Sequence, residues 1–266
     1  MTETTPPPAR VVRRRITRGV GLGIDIGGSG IKGAPVDLGA GQLKAERVRI
    51  DTPQPSTPDA VADVVAQIVT GFGRAAGTRA VGVTFPAVIQ HGVARTAANV
   101  DKAWVDTDVD ALLTKRLGRE VHVVNDADAA GLAEARYGAA KGVRGLVFMA
   151  TLGTGIGTAL IHDGILVPNS ELGHIELDGK DAETQAAASV RENEALKWDE
   201  YIARLQRYFG AIEQYLWPDL IVVGGGISKK ADKFLPQLRL RTPIVAATLR
   251  NDGGIVGAAI MAAEHG

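Results

Sequence analysis

Asp25-Ile26-Gly27-Gly28-Ser29-Gly30-Ile31-Lys32 joins two apolar runs through a glycine-rich turn. The run before it, 20–24, ends in a carboxylate; the run after it carries a lysine near its start. This pattern predicts strand, tight turn, strand. Glycines in such a turn let the backbone come close to a bulky anion, and successive N–H groups can face it. A carboxylate beside the turn can hold a metal–phosphate directly or through water. The stretch is not a Walker P-loop, because Lys32 comes two residues after the last glycine of the turn and Gly33 follows it instead of Ser or Thr. It is not a dinucleotide fingerprint either, since no helix opens after the glycines. Taken alone, the stretch also reads as an ordinary hairpin turn.

Working outward, apolar strands are expected at 20–26, 31–37 and 42–50. A proline-rich connector, 52–58, precedes a helix that Asp59 can cap. Val61, Val64, Val65, Ile68 and Val69 recur along that helix at helical spacing. A strand at 80–89 bends at Pro86; a helix at 107–117 and a strand at 121–124 follow. The second half repeats the theme. Strand 146–152 runs into Gly153-Thr154-Gly155-Ile156-Gly157, with returning strands at 158–162 and 165–168. A long helix is expected over 184–217, then a strand at 220–223 leading into Gly224-Gly225-Gly226, a helix at 229–240, a strand at 244–247 and a small-residue helix at 254–264. Two units, each with a glycine turn after its first strand, imply internal duplication and a ligand gripped between the turns. One doubly wound sheet is the competing architecture.

Composition fits an α/β protein of one large domain or two smaller ones: 266 residues, 45% hydrophobic, 5% aromatic and rich in glycine. The absence of cysteine excludes disulfides and thiolate metal sites and is compatible with a reducing cytoplasm. A net charge of zero provides no global field for nucleic acid or membrane, and no apolar run approaches transmembrane length. Residues 1–18 mix three prolines with five arginines and are expected to form a disordered basic tail.

Several residue types suit chemistry on sugars and phosphates. Asp126 follows an apolar strand, where a carboxylate can project into a cleft; the same position reads equally as the N-cap of a helix starting near Ala127. Asp128 reads as a first-turn acid. Asn99 and Asn125 offer donor and acceptor groups together, as sugar hydroxyls require, and also suit turns. Glu171 and His174 lie three apart. Lys229 and Lys230, with Lys233 one turn on, extend a donor groove or form a solvated helix face.

In order and spacing, 25–32, Ala97-Ala98-Asn99 with Trp104, Asn125-Asp126-Ala127, 152–157, Glu171-Leu172-Gly173-His174 and Gly224-Gly225-Gly226 resemble the ROK family of bacterial sugar kinases. That family lies within the sugar-kinase, actin and heat-shock ATPase superfamily. The resemblance implies an α/β fold of two ribonuclease-H-like (actin/hexokinase-type) lobes with a cleft between them. The expected lobes are 19–124 plus 252–266 (small, N-terminal) and 125–251 (large, C-terminal).

The same resemblance assigns Asp126 as catalytic base and Asn99, Asn125, Glu171, His174 and Glu183 as sugar contacts. It assigns Asp25, Gly27, Gly28, Ser29, Lys32, Thr154, Gly155, Gly224, Gly225 and Gly226 to the phosphoryl donor, with Asp25 positioning Mg²⁺. Most of the family carries a cysteine-rich zinc motif after Glu-x-Gly-His. The stretch 178–189 has no cysteine, so no zinc is expected and His174 is not read as a zinc ligand. Asp51-Thr52-Pro53-Gln54-Pro55, Ala98-Asn99-Val100-Asp101-Lys102 and Asn125-Asp126-Ala127-Asp128-Ala129-Ala130-Gly131 are similar to the zinc-free branch of polyphosphate-using glucokinases and glucomannokinases. What this implies is phosphorylation of the glucose, and also mannose, 6-hydroxyl from polyphosphate or ATP by a cytoplasmic homodimer. A sugar-responsive regulator of the same family would need a helix-turn-helix domain, and the twenty or so residues ahead of the first strand are too few for one. An actin-like ATPase would lack the sugar constellation.

Overall fold

The structure, a computed structural model, describes residues 18–77, 79–98 and 100–265. Most of the tail expected over 1–18 therefore lies outside the described residues. The first half runs β1 (Val20–Ile26), β2 (Gly30–Asp37), β3 (Gln42–Leu43), β4 (Val48–Asp51), α1 (Pro58–Phe72), β5 (Val81–Phe85), β6 (Ile89–Gln90), β7 (Val93–Ala94), α2 (Val109–Leu117), β8 (Val121–Asn125) and α3 (Asp126–Tyr137). The second half runs β9 (Leu146–Leu152), β10 (Ile156–His162), β11 (Ile165–Val167), β12 (Glu176–Leu177), β13 (Lys180–Asp181), α4 (Glu183–Ala186), α5 (Ala188–Asn193), α6 (Trp198–Leu216), β14 (Leu220–Gly224), β15 (Ile244–Ala246) and α7 (Gly253–His265).

The duplication expected from the two glycine turns is present as sheet topology. One sheet has the order β3-β2-β1-β5-β8, the other β11-β10-β9-β14-β15. In each, the first strand pairs antiparallel with the hairpin partner that the glycine turn creates, and parallel with the next strand in. The outermost inner strand is also parallel. Parallel strands buried on both faces read as continuous apolar runs, as β5 and β14 do, every residue of each being buried.

Two helices lie between the sheets. α7 packs on β1 and β5, α3 packs on β10, and the two helices pack on each other. Small residues make this possible. A Cβ on Gly82 would sit 1.8 Å from the Ala258 carbonyl oxygen, and one on Gly257 would sit 1.8 Å from that of Ala129. The glycine- and alanine-rich composition is thus the means by which α7 sinks onto the sheet and against α3.

Several expected elements differ. The strand at 42–50 is two short strands, both paired to β2. α1 starts at Pro58, whose fixed φ suits the first helical position, so Asp59 sits in the first turn and does not cap. α2 is capped by Asp108, which accepts from the Ala111 amide at 2.8 Å. The helix expected over 184–217 breaks into α4, α5 and α6. Ala187 is extended (ψ 152°) and Ala195 has a left-handed φ of 51°. The helix expected over 229–240 is a pair of 3₁₀ turns, Gly226–Lys233 and Leu235–Gln237, with Lys230 out of helical geometry at φ −114°.

Candidate active site

Asp25 stands opposite Lys32 in the β1–β2 register, at the mouth of the first glycine turn. Its Oδ2 lies 3.3 Å from Lys32 Nζ and its Oδ1 accepts from the Thr84 hydroxyl at 2.8 Å. The turn closes by Gly27 N–H donating to Gly30 O (3.2 Å) and is braced from β4 and the chain beyond it. The Thr52 hydroxyl donates to Gly27 O (2.5 Å), and the Arg49 guanidinium donates to Ser29 O (3.0 Å). Gly27 and Gly28 line the cleft; Ser29 is exposed and does not. α7 begins beside this corner, with Gly254 against the Asp25 carboxylate.

The strand β8 passes directly into α3, and this junction carries Asn125-Asp126. Asn125, not Asp126, is the cap. Its Oδ1 accepts from the amides of Ala127 (2.8 Å) and Asp128 (3.1 Å), and its Nδ2 donates to Ala87 O (3.1 Å). Asp126 is freed from capping and faces the cleft, one oxygen accepting from the Ala127 amide at 2.8 Å. It is open to solvent through the cleft yet ringed by protein. That crowding, and after it the Asp25 carboxylate, pushes its pKa up to about 6.

On the opposite wall, β10 and the loop after β11 present Glu171 and His174. His174 Nδ1 lies 2.9 Å from Asp181 Oδ2, while its Nε2 is 3.9 Å from Glu171. The Asp181 hydrogen bond raises the His174 pKa above its ordinary value. Glu183 supports the second glycine turn: its Oε2 accepts from the Ile156 amide at 2.7 Å, and a Cβ on Gly155 would lie 2.2 Å from that oxygen. The turn is held from the other side by Ser189, which donates to Gly153 O (3.0 Å) and Thr154 O (2.6 Å). At the end of β14, Gly225 has φ +79°, and a Cβ there would meet the Leu152 carbonyl oxygen at 2.3 Å. The third glycine turn therefore lies directly on the second.

These pieces line connected cavities. A main cleft of about 680 Å³ has Gly27, Gly28, Asn125, Asp126, Thr154, Gly155, Glu171, His174, Glu183 and Gly225 on its walls. A rear cavity of about 290 Å³ shares Asp126, Thr151 and Gly225 with it and adds Asp25, Lys32 and Gly224. A side cavity of about 230 Å³ shares Gly153 and Thr154 and adds Gly226. Asn99 lies outside the described residues; Ala97 and Ala98, just before it, line the main cleft.

Sequence reading missed three participants. Asp181 reaches His174 only because the β12–β13 hairpin folds back, and no motif announces it. Asp128 stands in the first turn of α3, as expected, but it is buried: its Oδ2 accepts from the Asn169 amide at 2.8 Å, its Oδ1 has no partner among the described residues, and burial pushes its pKa up to about 7. Asn169, with a left-handed φ of 61°, holds both backbone groups of Ile89, accepting from its N–H at 3.0 Å and donating to its C=O at 2.8 Å. Val167-Pro168-Asn169 carries a turn signal, but nothing local says which strand the asparagine will hold.

Two facing glycine turns, a cleft carboxylate at a strand-to-helix junction and the Glu-x-Gly-His corner occur here in one cleft. The ROK family model matches residues 21–195. The chain belongs to the ROK family. Over 259 residues it is 51% identical to the polyphosphate glucokinase of Mycobacterium tuberculosis strain H37Rv, covering 97% of this chain and 95% of that one. Among solved structures it resembles the inorganic polyphosphate/ATP-glucomannokinase of Arthrobacter sp. strain KM, at 62% identity and a TM-score of 0.88, over 92% of this chain and 99% of that one. The ROK glucokinase of Streptomyces griseus, solved with glucose and AMPPNP, shares the fold at 23% identity and a TM-score of 0.79, over 92% of this chain and 100% of that one. The two sheets with their intervening helices are the actin/hexokinase-like pair of lobes of ROK sugar kinases. Among the described residues of this ROK protein, no group of three or more His, Asp or Glu side chains is placed to hold a metal ion. No helix among them is long and apolar enough to cross a membrane.

Proposed function

We propose that this ROK protein transfers the terminal phosphoryl group of inorganic polyphosphate or ATP to the 6-hydroxyl of glucose, and to that of mannose. The observation that carries the reading is Asp126, set free in the cleft by the Asn125 cap, between the donor-facing glycine turns and the Glu171–His174 wall. The identity to polyphosphate-using relatives supports both donors.

Asp126 accepts the proton of the sugar hydroxyl as its oxygen attacks the terminal phosphorus. An ordinary carboxylate, with a pKa of about 4, is a weak base. The value of about 6 makes Asp126 a better one while leaving it ionised at neutral pH. Because phosphoryl transfer has a loose transition state, alignment and charge stabilisation dominate. Asn125, Glu171, His174 and, in the segment not described, Asn99 hold the sugar. Asp181 orients the His174 ring and favours its charged form, a strong donor to a hydroxyl. Glu183 acts at two levels, facing the sugar cleft while fixing the Gly155–Ile156 turn.

Gly27, Gly28, Lys32, Thr154, Gly155, Gly224, Gly225 and Gly226 surround the donor. Ser29, exposed, contributes through its backbone to the shape of the turn. The carboxylates Asp25 and Asp126, which line one cavity and repel each other as like charges, suit a cation arriving with the phosphates; few protein ligands are needed, because Mg²⁺ keeps waters and phosphate oxygens. Asp25 would hold that Mg²⁺, which would offset the donor's charge. The lobes divide at 124/125 and again at 251/252, and their closure excludes water. Family resemblance supports a cytoplasmic homodimer.

The test is a coupled assay for sugar 6-phosphate with glucose or mannose and either donor. Sugar-dependent turnover with both donors is expected. Phosphate release independent of sugar would replace this reading with an actin-like ATPase.

A further inference from the structure

We infer that polyphosphate and ATP share the terminal-phosphate site but leave it by different exits, the polyphosphate chain running through a rear groove past Arg47, Arg250 and Lys229. The inference rests on the donor assignment proposed above. The rear cavity behind Asp25 and Asp126 adjoins an open groove of about 850 Å³, the two sharing Arg47, Ala247, Arg250 and Asn251. Lys229 lines the outer part. Neither is lined by Glu171 or His174 of the sugar wall.

Charge along this path is mixed, four cations against five acids, and what favours a polyanion is the pair of unpartnered cations at its outer end. Lys32 stands at the inner end, then Arg47 and Arg250, then Lys229. The acids are Asp25, Asp126 and Glu134 inside, and Glu46 and Asp252 outside. Glu134 is turned into the protein, accepting from the Ala139 and Leu249 amides at 2.7 Å and from the Thr248 hydroxyl at 3.0 Å. Asp252 is tied to Arg47 at 3.1 Å. Arg250 and Lys229 are exposed, and among the described residues neither has a carboxylate partner. Among the described residues, no aromatic side chain lines the groove.

The side cavity has the opposite character. Its wall carries Trp198, with the Arg191 guanidinium stacked 4.0 Å from the ring centroid, and Lys230. Arg191 already covers this ring, which also stacks with Phe234, so a donor that ends in a base would stack on the planar guanidinium, a contact a bare phosphate chain cannot make. Lys229 lines the rear groove and Lys230 the tryptophan side, as neighbours on a helical turn, pointing roughly 100–120° apart, can do.

Steady-state kinetics at saturating glucose test this on wild type, on the double variant Lys229→Gln/Arg250→Gln and on Lys230→Gln. ATP is one donor, and polyphosphates of several defined lengths are the others. In the double variant the KM for long polyphosphate should rise at least tenfold, more for longer chains, while the KM for ATP stays within twofold. That retained ATP activity also reports correct folding. Lys230→Gln should raise the ATP KM more than the polyphosphate KM. An equal loss with both donors, or an unchanged polyphosphate KM in the double variant, overturns the separate exit. A wild-type enzyme that turns over ATP but no polyphosphate overturns the donor assignment itself.

Discussion

At the scale of the residue, two neighbouring acids on α3 do different work because their surroundings differ. Asp126 faces the cleft and Asp128 faces the protein. Replacing Asp126 by Asn keeps the shape and removes the base, so kcat should fall about 10²–10⁴-fold. Glucose affinity by isothermal titration should stay within about threefold. Near-normal turnover in that variant would refute the role. Since only the ionised form accepts a proton, wild-type kcat/KM should rise with pH through about 6 and level off above it. Asp128 offers a stability test with a definite sign. Its pKa is raised in the folded state to about 7, so the fold holds a proton that the unfolded chain releases. Its contribution is therefore full below the unfolded carboxylate pKa of about 4 and is lost as pH rises through 7. Asp128→Asn keeps an acceptor for the Asn169 amide and cannot ionise. It should be more stable than wild type at pH 8, by up to about 4 kcal/mol, and no more stable at pH 4. Melting curves at the two pH values decide this.

At the scale of the element, short connections do the positioning. Asn169 sits in the loop that delivers Glu171 and His174, and its carboxamide holds Ile89 in the strand next to the Pro86–Val88 wall. Two hydrogen bonds of about 0.5–1.5 kcal/mol each are at stake. Asn169→Ala should raise the glucose KM about 5- to 50-fold with little change in the donor KM. Equal change in both would make Asn169 merely structural. The α3–α7 pair is the other sensitive element. Gly257→Val puts side-chain atoms where the Ala129 carbonyl already lies, so the helices must part. A loss of at least 2–3 kcal/mol, the scale of forced overpacking, is expected in urea unfolding. Gly142→Ala tests the contrast, since nothing lies within 4 Å of its added Cβ and only its left-handed φ of 77° is strained. It should cost about 1 kcal/mol.

At the scale of the whole molecule, two sheets of the same strand order face each other across α3 and α7. Each sheet brings one glycine turn to the shared cleft, so the cleft is complete only when both sheets contribute. Glucose binding should draw the lobes together. Small-angle scattering should show a smaller radius of gyration with glucose than without, and ATP hydrolysis in the absence of sugar should stay far below the kinase rate. An unchanged radius on saturation would argue for a cleft already closed.

Much of this was legible from local sequence. Strand–turn–strand at 25–32 and at 152–157, the buried strands and the terminal small-residue helix follow from apolar runs and glycine placement, which act over a few residues. The family followed from the order of its motifs. Local pattern failed where the outcome depended on distant partners. It took 184–217 for one helix because helical propensity persists through the breaks at Ala187, which is extended, and Ala195, which has a left-handed φ; between them α4 packs on α6. It treated Lys229 and Lys230 as one feature, although each lines a different cavity. It left Asp126 undecided between cap and base, because both readings satisfy the same five residues. The fold removed the cap reading by giving the cap to Asn125 and its side-chain amide to Ala87, and only folding brought Asp25, Asp181 and Asn169 to the cleft from far along the chain. A motif specifies which groups are available. Their pKa values and partners depend on what surrounds them in space, and that is settled only when both lobes are folded against each other.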